Sequence, residues 1–268
     1  MKLSVNYSIE LANLLKEGIV DVDLIKCADW PDMIATARRL KPVYVHFPLD
    51  AGSTSGRAAN YAAADAMARD TGTPYVNMHL VTWHRDFPTL PADSVDADLL
   101  AQVTELMLEH VADAAAFVRP DRLILENIPY FGPKGEFHRA SVEPAVIRRV
   151  VEQSGCGFLL DLSHARIAAH YLGVDPYDYV AQLPVERIRE LHVTGVRPVK
   201  GRLSDHMDLS DEDWRFVTFA LKRIRAGDWA RPWTIALEYG GIGEPFAWRS
   251  DQRVLERQVP RLHEMVKE

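Results

Sequence analysis

Residues 157–164 read GFLLDLSH, an apolar run that ends in an aspartate and is followed three positions later by a histidine. The length and composition of the run are typical of a strand buried on both faces, as in a parallel sheet. Burying a carboxylate or an imidazole costs free energy unless the group is hydrogen-bonded, paired or bound to a metal ion. The pattern therefore predicts a polar site at the carboxyl end of this strand.

The same pattern recurs along the chain. Five more short apolar runs end in a histidine or a glutamate: PVYV before His46, PYVNM before His79, RLIL before Glu126, REL before His192 and TIAL before Glu238. Active sites of parallel α/β barrels lie at the face where the strands end. We therefore expect these side chains, with Asp161 and His164, to converge at one mouth.

Strands and helices alternate throughout the sequence. Eight strands are predicted at KLSVNYS, VDLIKCA, PVYVHF, PYVNMHL, RLILEN, GFLLDLSH, IRELHVTG and PWTIALEYG, separated by amphipathic or alanine-rich helices such as the one predicted from residue 57. This order predicts an α/β fold, a (β/α)8 TIM barrel. A length of 268 residues fits a single barrel domain over residues 1–268. The segment at 196–209, VRPVKGRLSDHMDL, is predicted to be a polar loop.

The composition excludes several classes of protein. A net charge of −7 and a pI of about 5.8 disfavour a nucleic-acid partner, because duplex-binding domains usually have a pI above about 9. There is no apolar stretch of about 18 residues and no signal-peptide pattern, so we expect no membrane partner and a cytoplasmic location. The two cysteines, Cys27 and Cys156, lack CxxC spacing and are predicted to be small buried residues.

Histidines and carboxylates at neighbouring strand ends suit divalent ions such as zinc, iron or manganese. A carboxylate can bridge two ions, whereas an imidazole cannot, so the mixture predicts a cluster of two or three ions. The candidate metal ligands are His46, His79, Glu126, Asp161, His164, His192, Asp205, His206 and Glu238. Of these, Glu126 and Glu238 are also the candidate catalytic residues.

The loops predicted after strands 4, 5 and 7 are long, and loops at this end of a barrel bind substrates. Their candidate substrate-binding residues are Trp83, His84, Asn127, Tyr130 and Arg197. Two glycine-containing segments, GSTSG at 52–56 and YGGIG at 239–243, offer backbone N–H groups to a phosphate, although neither matches a known phosphate-binding pattern.

Four segments carry a resemblance to a known family: NMHLVTW at 77–83, LILENIPYF at 123–131, GFLLDLSHARIAAH at 157–170 and DPYDYVAQLPVERIRELHVTG at 175–195. Together they resemble the multinuclear non-heme iron dependent oxidative enzymes, within the xylose-isomerase-like TIM barrel superfamily. The resemblance covers roughly residues 40–240 and favours iron as the metal. It implies an oxidative reaction with dioxygen on a ribosomally made peptide, often at cysteine, sometimes with a separate substrate-recognition protein.

The resemblance also implies which residues bind each ion. The first ion is bound by His46, His79 and Glu126, and the second by Glu126, Asp161, His192 and Glu238. The third is bound by His164 together with Asp205 or His206. The sequence departs from the family pattern near the third ion. Ser204 stands where the pattern Asp-x-His would place its aspartate, so that either Asp205 or Asp208 substitutes or the third site is weak or empty. Ser163 and His164 stand where many relatives have asparagine.

Three other functions stay open. A sugar or sugar-phosphate isomerase or epimerase would hold a small-molecule substrate on one ion and exchange a proton through Glu126 and Glu238. An abasic-site endonuclease would use three zinc ions, although the negative net charge suits a phosphate-backbone binder poorly. A barrel without catalytic activity would serve as a binding partner.

Overall fold

A computed structural model of the chain describes residues 1–54, 60–243 and 248–268. The strands in this part are β1 Lys2–Asn6, β2 Leu24–Ala28, β3 Val43–His46, β4 Asp50–Ala51, β5 Val76–Leu80, β6 Leu123–Glu126, β7 Gly157–Asp161, β8 Ile188–Val193, β9 Gly195–Val199, β10 Arg202–Met207 and β11 Thr234–Leu237. The helices are α1 Ile9–Glu17, α2 Pro31–Ala37, α3 Tyr61–Thr71, α4 Ala97–Ala115, α5 Pro144–Ser154, α6 Leu162–Leu172, α7 Pro176–Ala181, α8 Asp211–Ala226 and α9 Gln252–Lys267.

Nine strands form one parallel sheet in the order β3-β2-β1-β11-β8-β7-β6-β5-β4. The two ends of this order, β3 and β4, are consecutive in the chain and are separated by residues 47–49. The amide side chain of Asn77, in β5, accepts a hydrogen bond from Phe47 N (2.7 Å) and donates one to Phe47 O (3.0 Å). The sheet thus closes on itself with β3 and β4 as two pieces of one strand, which confirms the predicted (β/α)8 TIM barrel.

The register of the parallel ladders places the strand ends at one level. His79 pairs with Glu126 between β5 and β6, and Asp161 pairs with His192 between β7 and β8. Ala236 of β11 pairs with His192, so Glu238, two residues further on, points to the same side of the sheet. Because side chains alternate between the two faces of a strand, residues in register point to the same side of the sheet. The ladder therefore explains why polar residues far apart in sequence meet at the mouth.

One predicted helix begins at the limit of the described residues. The helix predicted from residue 57 has its first residues outside the described part, and α3 begins at Tyr61. Asn60 caps this helix by accepting a hydrogen bond from Ala63 N at 3.0 Å. Among the described residues, there is no helix with both the length and the apolar character that a membrane crossing requires.

The prediction of a polar loop at 196–209 is wrong, because this segment forms the antiparallel hairpin of β9 and β10. The hairpin turns at Lys200 and Gly201, whose φ angles are +50° and +80°, as a two-residue hairpin turn requires. Pro198 and the many charged side chains concealed the strand pattern in the sequence. A two-stranded ribbon tolerates a proline because its outer edge needs no ladder donor.

Candidate metal centre

A first group of ligand atoms lies at the ends of β3, β5 and β6. The three atoms are His46 Nε2, His79 Nε2 and Glu126 Oε2, and their mutual distances are 3.4 Å between the histidines, 3.5 Å from His46 to Glu126 and 3.3 Å from His79 to Glu126. Ligands about 2.1 Å from a tetrahedral metal ion lie about 3.4 Å apart. The spacing of this first group therefore matches that of three ligands around one ion.

The protonation states of the first group also suit a metal ion. His79 Nδ1 lies 3.1 Å from the carbonyl oxygen of Leu49, which can only accept, so Nδ1 carries the proton and Nε2 presents its lone pair. Burial, reinforced by Lys26, holds the pKa of His46 well below its usual value, so its ring is neutral. Burial would raise the pKa of Glu126, but His79 and His46 outweigh it and keep the carboxyl ionised.

Two buried carboxylate oxygens provide an independent test of whether the residues at the mouth fit a metal ion. Glu126 Oε2 and Asp161 Oδ2 are buried, and neither has a hydrogen-bond partner among the described residues. A buried charged oxygen without a donor is strongly unfavourable. Because both oxygens face the clustered imidazoles, a divalent ion at the mouth would remove this penalty. The residues therefore fit a metal ion.

A second group surrounds His192 Nδ1 at the end of β8. Its acid oxygens lie at 3.2 Å (Glu238 Oε1), 3.5 Å (Glu126 Oε1) and 3.8 Å (Asp161 Oδ2) from this nitrogen. The other ring nitrogen, His192 Nε2, lies 2.7 Å from Glu190 Oε1 and donates to it. Glu126 thus turns one oxygen to each group, the arrangement expected of a bridging carboxylate.

The inside of the barrel below the second group is also polar. Tyr44 donates to Glu190 Oε1 at 2.8 Å and accepts from Ser4 Oγ at 3.3 Å, and Thr234 Oγ1 lies 3.1 Å from Ser4 Oγ. Burial and Lys26 would lower the pKa of His192, but its contacts with Glu126 and Glu190 raise it. The surroundings of this ring therefore favour positive charge.

The predicted third site is built differently from the other two. Asp161 ends β7 and is also the N-cap of α6, since its Oδ1 accepts from Ser163 N and His164 N at 2.7 Å each. This direct passage from strand to helix brings His164 to the mouth. Its Nδ1 donates to Asn127 O at 2.8 Å, and its Nε2 lies 3.1 Å from Asp205 Oδ2.

The contact between His164 and Asp205 needs no metal ion. Burial would lower the pKa of His164, but Asp161 and Asp205 raise it to about 10, so the pair is an imidazolium and a carboxylate. His206, the next residue, has a φ of +56° and lines the mouth, and burial, against the opposing effect of Asp205, lowers its pKa to about 4.

Three triads of side chains offer ligand atoms within 4.8 Å of one another: His46, Glu126 and His192; Glu126, Asp161 and His164; and Asp161, His192 and Glu238. Three predicted ligands are in none of these triads of described residues: His79, Asp205 and His206. The structure thus brings every predicted ligand to one mouth, and the assignment of each to an ion stays a prediction.

Sequence reasoning missed Lys26, which lies in the middle of β2. This lysine is 5% exposed, its Nζ contacts Glu238 Oε1, and it lies 3.5 Å from His192 Nδ1 and 3.3 Å from His192 Nε2. Burial lowers its pKa to about 8. The signal is present in VDLIKCA, where a charge interrupts an apolar run, although lysine is not a usual metal ligand.

A cavity of about 460 Å³ opens onto these groups. Its floor includes His46, His79, Glu126 and Lys26. Its walls come from the loops after β1, β2, β3 and β11 and from the first turn of α2, and they include the following apolar side chains: Tyr7, Trp30, Met33, Pro48 and Ile242. A polar floor below apolar walls is the usual composition of a ligand site.

The five predicted substrate-binding residues are not among the residues that line this cavity: Trp83, His84, Asn127, Tyr130 and Arg197. Trp83 packs edge-on against Phe137, with ring centroids 4.8 Å apart, and His84 Nε2 lies 3.1 Å from Leu90 O. Tyr130 is 1% exposed. The loops after β5 and β6 therefore pack on one another, and the substrate roles of these residues stay predictions.

Asn127 and Arg197 make structural contacts. The Asn127 side chain accepts from Asp161 N and donates to Asp161 O, both at 2.9 Å, which ties β6 to β7. Arg197 donates to Asp213 Oδ2 at 2.9 Å and so holds the hairpin to α8. Of the two glycine-containing segments, YGGIG reaches the cavity through Gly240 and Gly241, whereas residues 55 and 56 of GSTSG lie outside the described residues.

A family model described as RiPP precursor modification enzyme MbnB/TglH/ChrH matches residues 26–229, which contain the first group and all of the second except Glu238. The chain belongs to this family. Curated relatives include a UPF0276 protein of Acaryochloris marina, 33% identical over 96 residues that cover 34% of each chain. Another, from Paraburkholderia phytofirmans, is 31% identical over 132 residues, 47% of this chain and 41% of the relative. The chain thus spans less than half the length of these relatives.

Solved structures show the same fold at low sequence identity. A D-psicose 3-epimerase of Clostridium cellulolyticum H10 has a TM-score of 0.57 at 13% identity and covers 100% of this chain and 98% of its own. An AP endonuclease, family 2, of Brucella melitensis has a TM-score of 0.54 at 14% identity, and the match covers 93% of this chain and 100% of the endonuclease chain. A xylose isomerase-like TIM barrel fusion protein has a TM-score of 0.56 at 13% identity, over 97% of this chain and 42% of its own. These structures share the predicted TIM-barrel fold.

Proposed function

We propose that the chain is a metal-dependent enzyme that oxidatively modifies a ribosomally made peptide, with iron as its metal. The observation that carries the proposal is the first group, in which His46 Nε2, His79 Nε2 and Glu126 Oε2 lie 3.3–3.5 Å apart. Membership of a family described as RiPP precursor modification enzymes supports the peptide substrate. Imidazole and carboxylate ligands are compatible with iron, and also with zinc or manganese.

The residues of the chain have distinct roles in this proposal. His46, His79 and Glu126 would hold one ion, and the other oxygen of Glu126 faces His192 Nδ1 at 3.5 Å. Iron bound there would supply the capacity to bind dioxygen and to change oxidation state. The hydrogen bond from His79 Nδ1 to Leu49 O fixes the ring with Nε2 towards the ion.

The cavity walls would position the peptide. Tyr7, Trp30 and Met33 present apolar surface above the polar floor, and Trp30 is 49% exposed. An apolar side chain of the peptide would displace water there and leave the reacting atom near the floor. The proposal includes a single domain, a cytoplasmic location and no nucleic-acid partner, and it leaves room for a separate recognition protein.

Metal binding at the first group is tested by His79→Ala. We expect the affinity for Fe(II) to fall at least about 100-fold, since losing a group that merely orients a ligand costs about 10–100-fold. Anaerobic titration with Fe(II), followed by elemental analysis after desalting, measures this. His170→Ala, an exposed histidine on α6, is the matched control and should bind like the wild type. Equal iron in all three proteins would contradict the proposed site.

The reaction class is tested with the iron-loaded protein and a set of cysteine-containing peptides. We expect dioxygen uptake together with a mass change in the peptide, and both should be lost in His79→Ala. Proton exchange on a ketose is the second candidate, because Glu126 and Glu238 both line the cavity floor. Epimerisation of D-fructose by the Mn(II)-loaded protein under nitrogen would establish that candidate and replace the oxidative one.

A further inference from the structure

Lys26 lies inside the second group of ligand atoms. Its Nζ contacts Glu238 Oε1 and lies 3.5 Å from His192 Nδ1. Glu238 Oε1 and His192 Nδ1 lie 3.2 Å apart, the shortest of the three distances from this nitrogen to the acid oxygens of the second group. The ammonium group therefore approaches the same oxygen and the same nitrogen that an ion in this group would bind.

An ion in the second group would lie close to the ammonium. Ligand bonds of about 2.0–2.2 Å to Glu238 and His192 would place a dication within a few ångströms of Lys26 Nζ. Two like charges at such a distance repel strongly in a buried site, where no water screens them. Lys26 is 5% exposed and Glu238 is also 5% exposed, so solvent does not separate the two charges.

The charges at the mouth balance with a single ion. Glu126, Asp161 and Glu238 carry three negative charges, which one divalent ion in the first group and the Lys26 ammonium neutralise. Glu190 is paired separately through His192 Nε2, at 2.7 Å. A second ion beside Lys26 would leave an excess of buried positive charge.

We propose that the Lys26 ammonium takes the place of the metal ion in the second group, so that this group holds no ion while the lysine is present. The inference deepens the proposed function, because it concerns the number of ions at the same mouth. Lys26 is a positioning residue in this role: it holds the Glu238 carboxylate through their ion pair.

Lys26→Met tests the inference, since methionine keeps an unbranched chain of similar length and removes the charge. Co(II) serves as the probe, added anaerobically to the metal-free protein. Ions per chain are counted by elemental analysis after desalting, and visible absorption reports the coordination. We expect Lys26→Met to bind one ion more than the wild type. The double variant Lys26→Met with Glu238→Gln should lose that additional ion.

Two controls keep the charge or the fold constant. Lys26→Arg retains a cation and should bind as many ions as the wild type. Lys41→Met removes a lysine that pairs with Asp21 at the surface and should also leave the count unchanged. Circular dichroism and urea unfolding establish that each variant is folded before its ions are counted.

The outcomes separate this inference from the proposed function. An ion count in Lys26→Met equal to or lower than that of the wild type overturns the inference. So does the loss of an ion from the single variant Glu238→Gln, because the second group would then be filled beside the lysine. A wild type that binds no ion, with one ion in Lys26→Met, would support the inference and contradict the proposed function.

Discussion

At the scale of single residues, the backbone fixes the histidines of the mouth. His79 donates its Nδ1 proton to Leu49 O, and His164 donates its Nδ1 proton to Asn127 O. In both rings the hydrogen bond leaves Nε2 facing the mouth. These tautomers depend on carbonyl groups from neighbouring segments, which the sequence does not reveal.

Asn127 provides the prediction at this scale. Replacing it with alanine removes both hydrogen bonds to the Asp161 backbone, and an unsatisfied buried polar group costs about 1–3 kcal/mol. We expect Asn127→Ala to lower the free energy of unfolding by about 3 kcal/mol, measured by urea unfolding of the metal-free protein. Gln182→Ala, an exposed amide, should have little effect. Unchanged stability in Asn127→Ala, with loss of peptide binding, would instead favour the substrate role predicted from the sequence.

At the scale of elements, Asp213 joins three parts of the chain. This buried carboxylate, in the first turn of α8, accepts from Ser210 N at 2.7 Å and from Arg197 of the hairpin at 2.9 Å, and it pairs with Arg166 of α6. Burial would raise the pKa of Asp213, but the hydrogen bonds from Ser210 and Arg197 hold it below its usual value. The hairpin is thereby fixed beside the mouth, with Asp205 and His206 on it.

Asp213→Asn should therefore destabilise the protein in a pH-dependent way. A carboxyl whose pKa is lower in the folded state stabilises that state above its unfolded pKa, and this stabilisation is lost as the pH falls through the folded pKa. We expect a loss of about 3 kcal/mol near pH 7, the typical cost of breaking a buried ion pair. The difference from the wild type should shrink below about pH 4.

Urea unfolding of both proteins from pH 7 to pH 3 measures this difference. Asp211→Asn removes an exposed carboxylate from the same helical turn and is the matched control. A difference between Asp213→Asn and wild type that stayed constant over this range would show that the charge of Asp213 does not contribute.

At the scale of the whole molecule, the periodic apolar runs were sufficient to predict the barrel and its mouth. The polar residues that end these runs meet at one mouth because all the strands run in the same direction and are paired in register. The hairpin was missed because Pro198 and the charged side chains hide its alternation. The walls of the cavity come from loops other than those that carry the predicted substrate-binding residues. Loop packing, such as Trp83 against Phe137, depends on contacts between distant segments that no local pattern encodes.

Metal binding should stabilise the whole fold. An ion that binds the native state and not the unfolded chain adds about 2.7 kcal/mol when its free concentration is 100 times its Kd. We expect this gain in the urea unfolding of the wild type with Co(II), and its absence in His79→Ala. His170→Ala should gain as much as the wild type. A gain in His79→Ala equal to that of the wild type would place the bound ion elsewhere.

The interruption between β3 and β4 means that an ion in the first group would also stabilise the closure of the barrel. His46 and His79 stand on opposite sides of this seam, which is closed by the Asn77 amide at Phe47 and by the short ladder of β4. An ion bound by both histidines would connect the two sides of the barrel at the break between β3 and β4. Loss of the ion would then weaken the contact between these two sides, which also sets the positions of the two histidine ligands. Ion binding and closure of the barrel would therefore be coupled.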